Sequence, residues 1–259
     1  MRIITLAENS ACCNNLGAEH GLSLYIETGE HRILFDMGQS GLFADNARKL
    51  GVDLAAVDFA VVSHGHYDHG GGLETFLNIN SQAPVYVSRW AFESHFSGNG
   101  GDIGLDPKWL ASSRLILTGD RHTIAPGIHL LSCNDLTPQN PLEPFGQQRE
   151  EGDLRLPEDY RHEQYLLLET GGKRICISGC SHKGIGNLVQ WLRPDVLVGG
   201  FHLSKVESRL QLVSVARTLL ASSAVFYTGH CTGGMQFGVM KEIMGDRLHP
   251  ISGGTVLEL

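Results

Sequence analysis

Positive charge is scarce in this chain. Of 259 residues, 20 are Lys or Arg against 28 Asp or Glu, a formal net charge of -8. That balance argues against broad nucleic-acid binding, which needs a basic face to displace counterions. Long apolar runs are missing: none approaches the roughly 18 residues of a membrane-spanning segment. The opening "MRIITLAENSACC" also lacks the apolar core of a secretory signal. The six cysteines follow no small-domain spacing, which predicts reduced thiols rather than a disulfide scaffold. Low-complexity tracts are absent, and the only hint of a repeat is a loose likeness between two halves. These absences predict a cytoplasmic protein with a small-molecule substrate, no nucleic-acid partner and no membrane, and leave its oligomeric state open.

What is present is 42% hydrophobic and 19% charged, the composition of a globular enzyme-sized domain. Short β-branched runs punctuated by glycine read as strands: "IITLAE", "LSLYIET", "HRILFDMG", residues 59–62, "APVYVS", 174–179, 195–200 and 224–229. Helical spacing is visible in "GLFADNARKLGV", "GLETFLNIN", "GIGNLVQWLR" and "SKVESRLQLVSVARTLLAS". Strands alternating with helices predict an α/β fold of sheets covered by helices. The stretch 133–163, rich in Pro, acids and amides, has no period and predicts a lid, a binding loop or a disordered insert. It lies in a loop-rich insert expected around 95–163 of a single domain spanning 1–259.

The chemistry is concentrated in "VVSHGHYDHGGG" (61–72), where three of the 13 histidines and an aspartate occupy six positions just past a buried strand. Three later strands also end in Gly followed by His: "ISGCSH", "VGGFH" and "YTGH", with His182, His202 and His230. Strand ends present side chains from a rigid base, so these histidines are expected to open onto one cleft. Imidazole and carboxylate are ligands of zinc and related ions. His64 and His66, two apart on extended backbone, point to one side and suit one ion; Asp68 and His69, a turn later, suit a second. The competing reading of any one of these histidines is a hydrogen-bonded core or surface residue. "NGGDIG" (99–104) lacks the Lys and the strand–helix context of a phosphate loop and reads as a turn.

"SHGHYDHGGG" resembles the H-x-H-x-D-H signature of the metallo-β-lactamase superfamily, and the order of the other pieces follows that family over nearly the whole chain. The resemblance implies an αββα sandwich of two mixed sheets flanked by helices, with a dinuclear metal site. "LFDMG" is similar to the first superfamily motif, which implies that Asp36 orients the site from behind the ligands; otherwise it is a turn former. "YTGH" then supplies His230 as the last ligand. "AEHGLS", "SGCSHKGIGN", "GGFHL" and "YTGHCTGG" together resemble a narrower group, the dihydropterin–ribofuranosyl-aminobenzene phosphate synthase-like metallohydrolases. Two departures stand out. The family's bridging Asp is replaced by Cys180, either a thiolate ligand or a small buried residue. The third-motif His lacks a clean candidate among His122, His129 and His162, and His182 is expected to take its place.

The implied ligand set is His64, His66 and His182 for one ion, and Asp68, His69 and His230 for the other, with Cys180 beside them. Asp68 and His202 are the expected catalytic residues, His202 as a proton or hydrogen-bond donor unless it only makes a structural hydrogen bond. Glu19 and His20 reach the same cleft or form an exposed loop pair. The cofactors expected are two divalent ions, Zn first, with Mn or Fe as alternatives. The function implied is hydrolysis by metal-activated hydroxide of a small phosphate-, ester- or lactone-containing metabolite. The alternatives are a synthase-type transferase acting at a phosphoribosyl centre and a non-hydrolytic metal or redox module; redox members carry Glu where His66 stands.

Overall fold

The computed structural model describes residues 1–140 and 143–259. Its strands are, in chain order, β1 (Arg2–Ala7), β2 (Ser23–Glu27), β3 (Arg32–Phe35), β4 (Phe59–Val62), β5 (Val85–Ser88), β6 (His95–Phe96) and β7 (Leu115–Thr118). There follow β8 (Arg121–Ala125), β9 (Ile128–Leu131), β10 (Gln148–Glu151), β11 (Leu154–Pro157), β12 (Tyr165–Thr170) and β13 (Lys173–Ser178). The last four are β14 (Val196–Gly199), β15 (Val225–Thr228), β16 (Leu248–Pro250) and β17 (Val256–Glu258). The α-helices are α1 (Leu42–Lys49), α2 (Tyr67–Gly70), α3 (Leu73–Ile79), α4 (Ile185–Leu192), α5 (Arg209–Leu220) and α6 (Gly234–Met244). The chain forms two compact units: Met1–Thr118 with Gly146–Glu158 and Ser252–Leu259, and Gly119–Phe145 with Asp159–Ile251.

In the first unit a seven-stranded sheet runs β17-β1-β2-β3-β4-β5-β7. Pairing is antiparallel from β17 to β3 and parallel from β3 to β7. Parallel neighbours need crossovers; α1 lies in the one from β3 to β4 and α3 in the one from β4 to β5. These helices bury Phe43, Ala47, Leu73 and Phe76 among Leu34, Val62 and Val85 of the strands. All four residues of β4 are buried, which is why the strand reads as an unbroken apolar run rather than an alternation.

The second unit carries another seven-stranded sheet, β16-β15-β14-β13-β12-β9-β8. Here β8, β9, β12 and β13 pair antiparallel and β13 to β16 pair parallel. Helix α4 buries Ile185, Leu188, Val189 and Leu192, the i, i+3, i+4, i+7 stripe of one helix face. Together with α5 and α6 it closes a core around Leu167, Leu197 and Phe226. Two mixed sheets, each with its helices, make this the α/β fold that the sequence predicts. Among the described residues no helix is long and apolar enough to cross a membrane.

Two expectations are corrected. The helix read from Ser204 starts only at Arg209, with Ser208 as its cap accepting from the Gln211 N–H. Residues 203–206 are tied elsewhere: the Leu203 and Ser204 N–H groups donate to Cys231 O, and the Gln236 amide donates to Ser204 O and Val206 O. The stretch 133–163, expected to be loop, contains the β10–β11 hairpin, which pairs with β6 in a small third sheet. The wider span 95–163 holds six short strands, β6 to β11; its positions 141 and 142 lie outside the described residues.

Candidate metal centre

In the first unit β4 ends at Val62 and delivers Ser63, His64 and His66, with His66 still extended as the residue before α2. The short helix then places Asp68 and His69. His64, His66 and His69 are buried, and the ring centroids of His64 lie 4.6 Å from His66 and 4.2 Å from His69. Donor atoms of His64 come within 4.8 Å of those of both.

Asp36, fully buried at the end of β3, organises this cluster. Its left-handed backbone (φ 58°) turns the chain while its N–H donates to Val61 O at 2.8 Å. Oδ1 accepts the Ser63 N–H at 2.6 Å; Oδ2 accepts the Ser63 hydroxyl at 2.7 Å and stands 2.7 Å from His69 Nδ1. The Ser63 oxygen stands in turn 2.8 Å from His64 Nδ1. With Asp36 ionised, this chain puts the proton of both rings on Nδ1 and leaves Nε2 of each as the lone-pair donor.

His95 is held the same way, its Nδ1 2.8 Å from Glu158 Oε2, with both groups buried and its ring 5.7 Å from His66. Asp68 Oδ2 lies 3.7 Å from His69 Nε2 and 3.3 Å from His20 Nε2. Glu19 is placed differently: its Oε1 accepts the Gln39 and Ser40 N–H groups and fixes that loop.

In the second unit β13, β14 and β15 end in Cys180–His182, His202 and His230. Ser181, His202 and His230 all have positive φ (57°, 51° and 48°), a conformation rare outside glycine that turns each chain end sharply. Gly199 (φ 143°) has no room for a side chain, since a Cβ would stand 1.9 Å from Ser178 O. Buried Glu163 anchors the loop carrying His182, accepting the His182 N–H at 2.8 Å and the Lys183 N–H at 3.1 Å, with the Tyr165 hydroxyl also donating to it. Lys183 Nζ is occupied by Ser132 O and Asn134 Oδ1. Burial drives Glu163 upward and Lys183 downward in pKa, both toward neutrality. The His182 ring stacks on Tyr160 at 4.4 Å and 13°, and lies 4.1 Å from His202.

Cys180, His202 and Cys231 bring their donor atoms within 4.8 Å of one another. Neither ring nitrogen of His202 has a hydrogen-bond partner among the described residues. Burial pushes the Cys231 thiol up, but its neighbours Cys180, His202 and His230 outweigh that and bring it well below the ordinary thiol range. His230 is buried at its strand end.

His122 and His129 lie on β8 and β9, with His129 Nδ1 3.0 Å from the Thr123 hydroxyl. His162 is buried beside Tyr160. Sequence reasoning passed over His95, Glu158, Cys231 and Tyr160. For His95 the signal was available, because it lies between the histidine cluster and residue 180, where a further His was sought.

Buried imidazoles turned by carboxylates in the first unit, and histidines grouped with thiols in the second, suit a borderline divalent ion and are otherwise costly to bury. A profile described as the metallo-beta-lactamase superfamily matches residues 16–132. The 7,8-dihydropterin-6-methyl-4-(beta-D-ribofuranosyl)-aminobenzene-5'-phosphate synthase of Methanocaldococcus jannaschii is 25% identical, across 100% of this chain and 96% of that protein. The crystal structure of Tm1679, described as a metal-dependent hydrolase of the beta-lactamase superfamily, superposes with TM-score 0.83 at 27% identity, covering 100% of this chain and 99% of that one. Zinc-bound PqqB from Methylobacterium extorquens shares the fold at TM-score 0.59 and 12% identity, over the full length of both chains.

Proposed function

We propose that this chain is an enzyme of the metallo-β-lactamase superfamily, a reading supported by the matches above, and that it is a metal-dependent hydrolase of a small metabolite carrying an ester, lactone or phosphate bond. The observation that carries the proposal is the Asp36 relay, which aims His69 directly and His64 through Ser63. A carboxylate behind a buried imidazole fixes its tautomer and raises its basicity, as ligand histidines require. The resemblance to Tm1679 supports the hydrolytic reading.

The proposal takes two divalent ions, zinc first, and keeps the ligand assignment read from the sequence: His64, His66 and His182 for one, Asp68, His69 and His230 for the other, with Cys180 beside them. What supports it is that the donors named within each unit are buried there at strand or helix ends. When bound, such ions supply a water acidic enough to attack at neutral pH. His202 is given the task of donating to the leaving group or to the oxygen that gains charge. Its two ring nitrogens, for which no hydrogen-bond partner is found among the described residues, are given to it. The net charge of -8 weighs against a nucleic-acid partner, and the small-molecule substrate and cytoplasmic setting expected from the sequence are kept.

The full-length resemblance to the methanogen synthase supports a second reading, transfer at a phosphoribosyl centre. A panel of phosphodiester, lactone, thioester, ester and β-lactam substrates tests the first. Turnover that stops with a chelator and returns with zinc is expected. Turnover indifferent to the chelator, or none on any hydrolysable substrate, overturns it.

A further inference from the structure

Of the six cysteines, two stand apart from every role assigned above. Cys180 and Cys231 belong to the candidate centre. Cys133 and Cys176 are buried, and burial pushes their thiols up, to about 11 for Cys133. Cys12 and Cys13 are exposed neighbours in the loop that follows β1 of the first unit. Their Sγ atoms lie 3.5 Å apart, with the Cys12 thiol donating to the Cys13 sulfur. The loop that carries them is tied down on both sides. The Cys12 N–H donates to Gly253 O at 2.9 Å, and the Gly253 N–H to Ser10 O at 2.8 Å. Before the pair, Glu8 accepts the Ser10 N–H and hydroxyl; after it, Asn46 Oδ1 accepts the Gly17 N–H. Gly254 backs the first sulfur so closely that a Cβ there would stand 2.6 Å from Cys12 Sγ. The pair is thus held in place by backbone and left open to solvent.

We propose that Cys12 and Cys13 form a surface site for a soft metal ion of the zinc and cadmium class, held by both thiolates. Thiolate is the ligand such ions select. Two Zn–S bonds of about 2.3 Å at a tetrahedral angle span about 3.8 Å. Sulfurs already 3.5 Å apart therefore need to open by only about 0.3 Å to take the ion. Binding forms two metal–sulfur bonds and releases the two thiol protons to water. The other positions of a tetrahedral ion are left to water. Structural zinc sites are closed by protein ligands on all sides, so an open pair suits capture and exchange rather than folding. A disulfide is the competing fate of two close thiols, and adjacency in the chain disfavours it. Neighbouring Cα atoms lie about 3.8 Å apart, short of the roughly 4.4–6.8 Å that a disulfide usually spans. This site uses none of the ligands proposed above, and it stands whether or not the protein hydrolyses anything.

The test is a titration of the reduced, dialysed protein with cadmium chloride, read by the sulfur-to-cadmium charge-transfer band in the ultraviolet. The parent is expected to take up about one equivalent beyond what Cys12→Ser/Cys13→Ser takes up, with a correspondingly larger band. Cadmium entering the buried centre appears in both proteins and cancels in that difference. Each single variant should hold the extra ion at least about a hundredfold more weakly, because the second bond no longer forms within one loop. Both side chains are exposed, so circular dichroism is expected to be the same in parent and variants. Bound cadmium should also shield the pair from iodoacetamide, read by mass spectrometry of the peptide that contains it. Equal uptake by parent and double variant, or full affinity in either single variant, overturns the site. A cadmium-dependent dimer in size exclusion overturns chelation within one chain.

Discussion

Asp36 has no exposed surface and spends both oxygens on the cluster, so its removal is a test of orientation rather than of charge at a surface. Asp36→Ala should weaken metal binding by about 10–100-fold, the usual cost of losing such a supporting carboxylate. A zinc titration against a competing chelator measures it, and an unchanged affinity would reduce Asp36 to the turn former that its sequence context also allows. His202→Ala should keep its metal while kcat falls about 10²–10³-fold, the cost of one lost donor to developing charge. If it loses metal instead, His202 acts as a ligand with Cys180 and Cys231. Cys180 as a thiolate ligand should resist alkylation while metal is bound and react after chelation; equal rates in both states would make it a bystander. His64, His66, Asp68 and His69 were legible because spacing within six residues fixes their proximity. His95 was passed over although it lies between the cluster and residue 180, because the partner that marks it, Glu158, is 63 residues away in the chain and brought beside it by folding.

At the scale of elements, hydrophobic period found the strands and helices that carry apolar faces, and failed where polar residues form regular structure. The β10–β11 hairpin is such a case. Its "QREEGDLRLP" reads as a charged loop, yet Gly152 (φ 62°) and Asp153 make the two-residue connection that a tight hairpin requires. The start of α5 failed for another reason: Ser204–Val206 have helical composition, but Cys231 O and Gln236 capture their backbone first. Ser208→Ala should cost about 1 kcal/mol, the common value of a lost N-cap, read as a shift in the urea midpoint. No shift would mean that the tethers on residues 203–206 alone fix where the helix begins.

Across the whole molecule, each unit's seven-stranded sheet has three antiparallel pairings followed by three parallel ones. In the first, Asp36 follows β3 and His64 follows β4; in the second, Cys180 follows β13 and His202 follows β14. The loose likeness of two halves in the sequence is thus matched by a likeness of strand order and pairing direction. The glycine–histidine strand ends were readable because a parallel sheet gathers its strand ends at one edge. A cavity beside α4 and α5 was not, because its lining comes from those helices and three loops whose juxtaposition has no local signal. The claim on which the rest depends is that the histidines are ligands, and metal analysis of the purified protein beside His66→Ala tests it most directly. The account predicts about two equivalents of transition metal per chain, as for a two-metal hydrolase, with at least one lost in the variant. A parent protein purified without metal that takes up none when zinc is supplied, or a variant with undiminished content, would contradict it.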